Sequence, residues 1–170
     1  IHSRSKPICD VPEIKFGNQP IDGGHLILSA EERSEILKTE PNISKFIKPF
    51  LGAREIINGG ERYCLWLKDA QPAELSSSKF IMSRLNNVKK ARLESDREAT
   101  NELAKTPSMF AFISHPDDNY IAMPSVSSEN REYIPSAFLD KDTIASNLCL
   151  IIPHTTLYHF GVLISAMHMD

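Results

Sequence analysis

The chain has 170 residues, enough for one domain with a hydrophobic core. Hydrophobic residues make up 41% and charged residues 24%, which argues against a disordered chain, and no apolar run approaches the length that spans a bilayer. The formal net charge is −3, so nucleic-acid binding would have to depend on a local cluster of positive charge rather than on a basic excess.

The first half of the chain predicts an irregular arm followed by short elements. Residues 1–28 contain three prolines and a Gly23-Gly24 pair, so we expect an N-terminal arm or linker there, with the domain proper at residues 29–170. Ser29 and Glu32 have capping-box spacing and predict a short helix that ends before Pro41. A second short helix is predicted up to Phe46, a turn-rich connection over residues 51–60, and a strand over residues 62–67.

Residues 77–105 give the strongest helical signal. The stretch contains no glycine or proline, and Ile81, Leu85, Val88 and Leu93 recur at helical spacing. We therefore predict one long helix, ending before Pro107.

The second half predicts short strands and a last helix. Extended patterns separated by turn residues occupy residues 109–114, 120–123, 133–138 and 148–152, and a helical pattern runs from about residue 156 to the end. The predicted fold class is α+β, with a small, mostly antiparallel sheet, one long helix and a C-terminal helix. Because the first residue is Ile1 and the last helical pattern has no cap, we expect a segment of a longer protein.

Motifs for the common catalytic chemistries are missing from the sequence. No glycine-rich turn links a predicted strand to a helix, no Pro-Pro pair is present for an Asx-Pro-Pro-aromatic loop, and no phosphate-binding loop occurs. Asp10 lies too close to Glu13 and Lys15 for a nuclease motif. The sequence therefore predicts no complete catalytic site and no cofactor held by this chain.

An independent metal hydrolase is a further alternative, and cysteine and histidine spacing bears on it. Three widely spaced cysteines do not form a disulfide framework and favour a reducing, cytoplasmic location. A hydrolase using His154, His159 and His168 is conceivable, but their spacing does not match zinc-ligand pairs. Packing is the simpler role for these histidines.

Positive charge is concentrated in the first part of the predicted long helix. Residues 76–93 contain no acid, and they include Lys79, Arg84, Lys89, Lys90 and Arg92. This pattern is compatible with a face that contacts DNA phosphates, but from the residues alone an ordinary solvated helix face is the simpler interpretation.

The serine-rich loop, residues 125–131, is the second polar cluster. It follows a predicted strand and contains Ser125, Ser127, Ser128, Asn130 and Arg131. Hydroxyl, amide and guanidinium groups are the ones that bind base edges and phosphates, although serine and asparagine are also common in plain turns.

Four separated groups of residues together resemble a known family. They are FGNQP (16–20) with DGGHL (22–26), FIKPFLGARE (46–55) with RYCLWL (62–67), PSVSSE (124–129) with REYIP (131–135), and LYHFGVL (157–163) with SAMHM (165–169). In this order and spacing they resemble the target-recognition region of the MmeI-like type IIG/IIL restriction–modification enzymes.

The resemblance implies a bacterial polypeptide that joins a nuclease, an adenine methyltransferase using S-adenosylmethionine, and a domain that recognises the DNA target. This chain matches the recognition part only, so its expected partners are double-stranded DNA and the methyltransferase domain, with no membrane contact. We expect Asn130 and Arg131 to read bases, with Ser125, Ser127 and Ser128 in the same loop. Arg54, Lys79, Arg84, Lys89, Lys90 and Arg92 are expected to hold phosphates. The alternative is a structural module of the same enzyme that reads no bases.

Overall fold

A computed structural model of the chain describes residues 12–128, 130–131 and 133–165. The described residues form short helices and two small sheets. The helices are α1 (Ala30–Thr39), α2 (Ala53–Asn58), α3 (Pro72–Ser77), α4 (Lys79–Leu93), α5 (Glu98–Glu102) and α6 (Leu157–Leu163), with 3-10 turns at Pro41–Phe46 and Leu103–Lys105. The strands are β1 (Lys15–Phe16), β2 (Ile27–Ser29), β3 (Ile47–Leu51), β4 (Arg62–Leu65), β5 (Tyr120–Pro124), β6 (Ala137–Leu139), β7 (Ile144–Ala145) and β8 (Cys149–Ile152).

The strands form two four-stranded sheets rather than the single sheet that the sequence predicted. The first sheet has the order β2-β4-β3-β7 and the second has the order β1-β8-β5-β6. Among the described strands, every pairing within these sheets is antiparallel except the parallel one between β3 and β7. The α+β class and the mostly antiparallel character are confirmed.

Strands β3 and β7 lie between two hydrophobic cores. Successive residues of a strand point to opposite faces, so Phe50 and Ile144 pack in the first core whereas Leu51 and Ala145 pack in the second. The first core also receives the buried face of α4, and the second is built around Tyr120, Cys149 and Ile151.

The two described cysteines are buried thiols. Cys64 lies in the first core, and burial raises its thiol pKa. Burial raises the pKa of Cys149, in the second core, to about 11. Both groups therefore stay protonated at neutral pH and serve as small apolar side chains.

The prediction of a single helix over residues 77–105 is wrong, because the stretch contains separate helices. Helix α4 ends at Leu93, and α5 begins only at Glu98. The break occurs where the Arg92 side chain turns inward and donates hydrogen bonds to the main-chain oxygens of Leu103 and Thr106, which holds the returning chain against the end of α4.

The region before residue 29 is packed into the fold from residue 15 onward. Strand β1 pairs with β8, Asn18 and Leu26 are completely buried, and β2 spans the expected boundary between arm and domain. Residues 15–28 are therefore part of the folded body, and only residue 12 onward of the expected arm is described.

The connection predicted over residues 51–60 contains helix α2, and the preceding segment forms β3 despite Pro49. Proline lacks the N–H that a central strand needs. Here β7 pairs only with Phe50 and Leu51, so no ladder on that side requires a donor from Pro49. Residues 109–114 contribute only an isolated bridge, at Phe112.

Candidate nucleic-acid interface

Helix α4 has one buried face and one exposed basic face. The Ser78 hydroxyl caps its N-terminus by accepting the Ile81 N–H at 3.1 Å. Ile81, Leu85 and Val88 are buried at helical spacing, which turns the remaining positions outward. Lys79, Lys89 and Lys90 are all exposed, and Lys90 lies 3.8 Å from Glu94 in a solvated pair.

Arg92 does not belong to that exposed face, so its predicted phosphate contact is wrong. Its side chain is 1% exposed and donates five hydrogen bonds to main-chain oxygens, those of Pro20, Ile21, Leu103, Thr106 and Met109. Burial lowers the pKa of the guanidinium and the nearby Asp22 carboxylate opposes that effect. Every donor direction is used inside the protein, and none is left for DNA.

Arg84 is only partly available to a ligand. It forms an ion pair with Glu32 of α1, and its guanidinium lies over the Phe80 ring, 5.1 Å from the centroid. The Glu32 carboxylate also accepts the Ser29 N–H, and this bond, followed by the Arg84 contact, lowers its pKa. A phosphate would have to displace Glu32 to bind Arg84.

Arg54 is exposed on α2 and borders a cleft of about 640 Å³. Glu32, Glu55 and Glu61 line the same cleft, and Glu55 pairs with Arg62 at 2.8 Å. The cleft therefore mixes both signs of charge, and Arg54 is a cation beside acids rather than part of a basic surface.

The serine-rich loop connects β5 to β6 at the edge of the second sheet. At its start, the Ser125 N–H and hydroxyl both donate to the Leu148 oxygen at 3.0 Å. Further on, the Asn130 N–H donates to the Ser128 hydroxyl and the Arg131 N–H donates to the Ser128 oxygen, both at 3.3 Å. These bonds fold the loop into a turn fixed at one end.

The side chains of that loop are free to meet a ligand. Ser125, Ser127, Ser128, Asn130 and Arg131 are all exposed. Within the described chain, neither the Asn130 amide nor the Arg131 guanidinium has a side-chain hydrogen bond. A guanidinium and an amide held at the tip of an exposed loop match the donors and acceptors of base edges in the major groove.

The structure brings the five loop residues together and leaves the basic helix on another part of the molecule. Helix α4 packs on the first core, whereas the serine-rich loop extends from the second sheet. The two clusters would therefore meet DNA at separate positions, with Arg54 in a third.

A cluster of charged side chains that the sequence did not predict surrounds His115. Lys48, Lys68 and Lys141 line a cleft of about 350 Å³ together with Asp69, Asp117 and Asp142. Lys48 pairs with Asp142, and burial lowers the pKa of His115, so that the cleft holds balanced charge at neutral pH. Its residues come from four segments that are distant in sequence, so no local sequence pattern predicts the cleft.

The histidines proposed for a metal site have other surroundings. The ring Nδ1 of His159 accepts the Thr156 N–H at 3.1 Å and so caps α6. Within the described ranges no group of three potential metal ligands is present, and His168 lies outside them. In the same ranges no helix is long and apolar enough to cross a membrane.

The glycine pairs do not fit a site for S-adenosylmethionine. Gly23-Gly24 forms a turn before β2, and Gly59-Gly60 follows α2 and precedes β4. Neither pair leads from a strand into a helix, which is the arrangement that brings a cofactor to the backbone. No catalytic step is assigned to this chain.

Comparison with known proteins confirms the resemblance that the sequence motifs indicated. The chain is 44% identical over 170 residues to DNA methyltransferase A of Bacillus subtilis (strain 168), covering 99% of this chain and 19% of that protein. It superposes with a TM-score of 0.89 and 38% identity on the type IIL restriction-modification enzyme MmeI solved in complex with DNA, covering 97% of this chain and 22% of that one.

The chain thus spans about a fifth of the length of both relatives. The family model described as "MmeI, target recognition domain" matches residues 1–170. The chain belongs to the MmeI target recognition domain family.

Proposed function

We propose that this chain recognises a specific double-stranded DNA sequence for a longer DNA methyltransferase polypeptide. Family membership and the similarity to a protein solved in complex with DNA support this proposal. The observation that carries it is the serine-rich loop, which holds Asn130 and Arg131 exposed without side-chain partners among the described residues.

In this proposal the methylation chemistry resides outside the chain. S-adenosylmethionine would be bound by the methyltransferase part, as the relative named DNA methyltransferase A supports. The adenine target is what the family resemblance implies. The recognition domain selects the site, and its direct partners are the duplex and the methyltransferase domain. A cytoplasmic location in a bacterial cell is part of the proposal, supported by the relative from Bacillus subtilis.

The serine-rich loop would enter the major groove, where Arg131 and Asn130 meet base edges. A bidentate contact from either side chain contributes about 1–3 kcal/mol of discrimination against a wrong base. Lys79, Lys89 and Lys90 would contact phosphates and add affinity without sequence preference. Arg54 and Arg84 would contribute less, because acids lie beside both.

Salt dependence tests the basic face of α4. In the full-length polypeptide, replacing Lys79, Lys89 and Lys90 by alanine should weaken duplex binding and reduce the slope of log K against log salt by about 0.9 for each phosphate that is no longer neutralised. Lys38→Ala, an exposed lysine on α1, is the matched control and should leave the slope unchanged. If the triple variant keeps the wild-type slope, this face is merely solvated.

A structural role in the same enzyme is the second candidate. Leu157, Tyr158 and Val162 of α6 are exposed apolar side chains, and Tyr158 and Val162 border a cleft of about 390 Å³ together with Ile14. Such a cluster is typical of a surface that packs against another domain. This role alone predicts that no substitution in the serine-rich loop alters which DNA sequence is bound.

A further inference from the structure

We propose that a second base-reading site lies beside the serine-rich loop, in a cleft lined by Lys15, Phe16, Gly17, Gln19, Phe112 and Asn147. This aromatic–amide cleft has a volume of about 480 Å³ and is open to solvent. The inference rests on the proposed function, and it assigns to these residues a base pair that the loop does not read.

The cleft exposes two large aromatic side chains that a folded chain would ordinarily bury. Phe16 is 58% exposed and Phe112 is 49% exposed. Exposed apolar groups clustered on a protein surface mark an interaction site rather than a structural need.

The backbone beneath these side chains is firmly held. The main chains of Gln19 and Phe112 exchange two hydrogen bonds, of 3.0 and 3.1 Å, and the Asn147 N–H donates to the Asn18 oxygen at 2.9 Å. A Cβ on Gly17 would lie 2.3 Å from the Ser146 oxygen. Because glycine has no side chain, the backbone at Gly17 can approach the backbone at Ser146 this closely. The aromatic rings are therefore displayed from a rigid base, which lowers the entropic cost of binding.

The polar groups of the cleft suit base edges better than phosphates. Gln19 and Asn147 carry primary amides, and neither amide forms a hydrogen bond with the part of the chain that the structure describes. Side-chain amides pair with the donor and acceptor edge of adenine, and apolar groups contact the thymine methyl. Lys15 lies 3.8 Å from Glu13, so the cleft has little net positive charge to attract a phosphate.

The cleft borders the start of the loop through Asn147. Asn147 precedes Leu148, which is 56% exposed and whose oxygen accepts both hydrogen bonds from Ser125. We infer that a duplex held by the serine-rich loop extends past this turn to the amides. The occupant that fits the aromatic–amide cleft is therefore the flanking part of the same DNA target.

Selection of bound duplexes from a randomised library tests this assignment with the full-length polypeptide. We expect Gln19→Ala and Asn147→Ala to reduce the preference at one base pair by roughly tenfold, at a position different from the one altered by Arg131→Ala. Phe112→Ala should weaken binding to the preferred duplex about threefold to tenfold. Thermal unfolding of each variant should match the wild type, because these side chains are exposed or half-buried.

Matched controls separate this proposal from the proposed function. Asn42→Ala removes an exposed amide elsewhere on the chain and should not change the selected sequence. If Arg131→Ala alters one position while the cleft variants select the wild-type sequence, the second site is refuted and the proposed function stands. If the wild-type protein enriches no sequence, both the second base-reading site and the proposed function are refuted.

Discussion

Arg92 is a buried cation that stabilises the interior of the protein. Its guanidinium joins the end of α4 to the segments around Pro20, Leu103 and Met109 through main-chain oxygens. Removing a charge from water costs desolvation free energy, but five hydrogen bonds and the nearby Asp22 carboxylate offset that cost.

Arg92→Ala should lower the free energy of unfolding by about 3–5 kcal/mol, because it removes five hydrogen bonds and opens a cavity. Among the described residues, the Ile21 and Met109 oxygens would keep no donor. Urea denaturation measures the change. Lys89→Ala, on the exposed face of the same helix, should stay within about 0.5 kcal/mol of the wild type. An Arg92→Ala protein of wild-type stability that binds DNA less tightly would restore the phosphate role.

The sequence alone does not distinguish Arg92 from its neighbours on α4. It continues the buried positions Ile81, Leu85 and Val88, but arginine usually extends to solvent and the residue follows Lys89 and Lys90. Its partners lie on segments more than ten residues away, and no local rule identifies them. The exposed side chains of the serine-rich loop, by contrast, were predictable because polar residues between two strands ordinarily face solvent.

The start of helix α1 could be predicted from local sequence, whereas strand β3 could not. The capping box predicted at Ser29 and Glu32 is present, since the Glu32 N–H donates to the Ser29 hydroxyl and the Ser29 N–H donates to the Glu32 carboxylate. Strand β3 was missed because Pro49 is a strong local signal against a strand. Strand β3 pairs with β4 and with β7, and β7 lies more than ninety residues later. A local sequence pattern cannot predict so distant a partner.

Glu32→Gln should destabilise the protein by about 0.5–1 kcal/mol at neutral pH, because it weakens the cap and removes the ion pair with Arg84. The folded-state pKa of Glu32 is lowered, so its stabilising effect is present above the unfolded-state pKa, about 4.3, and is lost as pH falls through the folded value.

Denaturation of wild type and Glu32→Gln at several pH values tests this sign. The difference in stability should shrink below about pH 4. Glu35→Gln, on the same helix and exposed, is the control and should show no comparable difference. A gap that widens in acid would contradict the assigned role of Glu32.

On the scale of the whole molecule, Asn18 joins segments that are distant in sequence. It is completely buried, its amide donates to the Ala145 oxygen, and its side-chain oxygen accepts the Ser114 N–H, both at 2.9 Å. Ala145 belongs to β7, between the two cores, so Asn18 ties the N-terminal segment to the centre of the fold. This explains why residues 15–28 are part of the body rather than a linker.

Asn18→Ala should therefore lower the free energy of unfolding by about 2–4 kcal/mol, because a buried side chain is truncated, the Ser114 N–H loses its acceptor and the Ala145 oxygen keeps only the Asn18 main-chain N–H. Asn42→Ala, which removes an exposed amide, should have an effect near zero. Chemical denaturation of both variants measures the contrast. Equal stabilities would show that Asn18 does not join the segments.

The arrangement of sheets and clefts could not be read from the sequence, because it depends on long-range pairing such as β1 with β8. The fold class and the family could be predicted from the sequence, because periodic patterns and the four motif groups are local and ordered along the chain. The aromatic–amide cleft was missed for the same reason as the sheets: its residues come from three distant segments.

Selection of the DNA sequence by the serine-rich loop can be measured in cells. Every methylated site is mapped in cells that express the full-length polypeptide with Arg131→Ala or, for comparison, Lys89→Ala. Arg131→Ala should relax the preference at one base pair, whereas Lys89→Ala should lower methylation at all sites equally. If no substitution of Ser125, Ser127, Ser128, Asn130 or Arg131 changes the methylated sequence, the loop does not read DNA and the account is wrong.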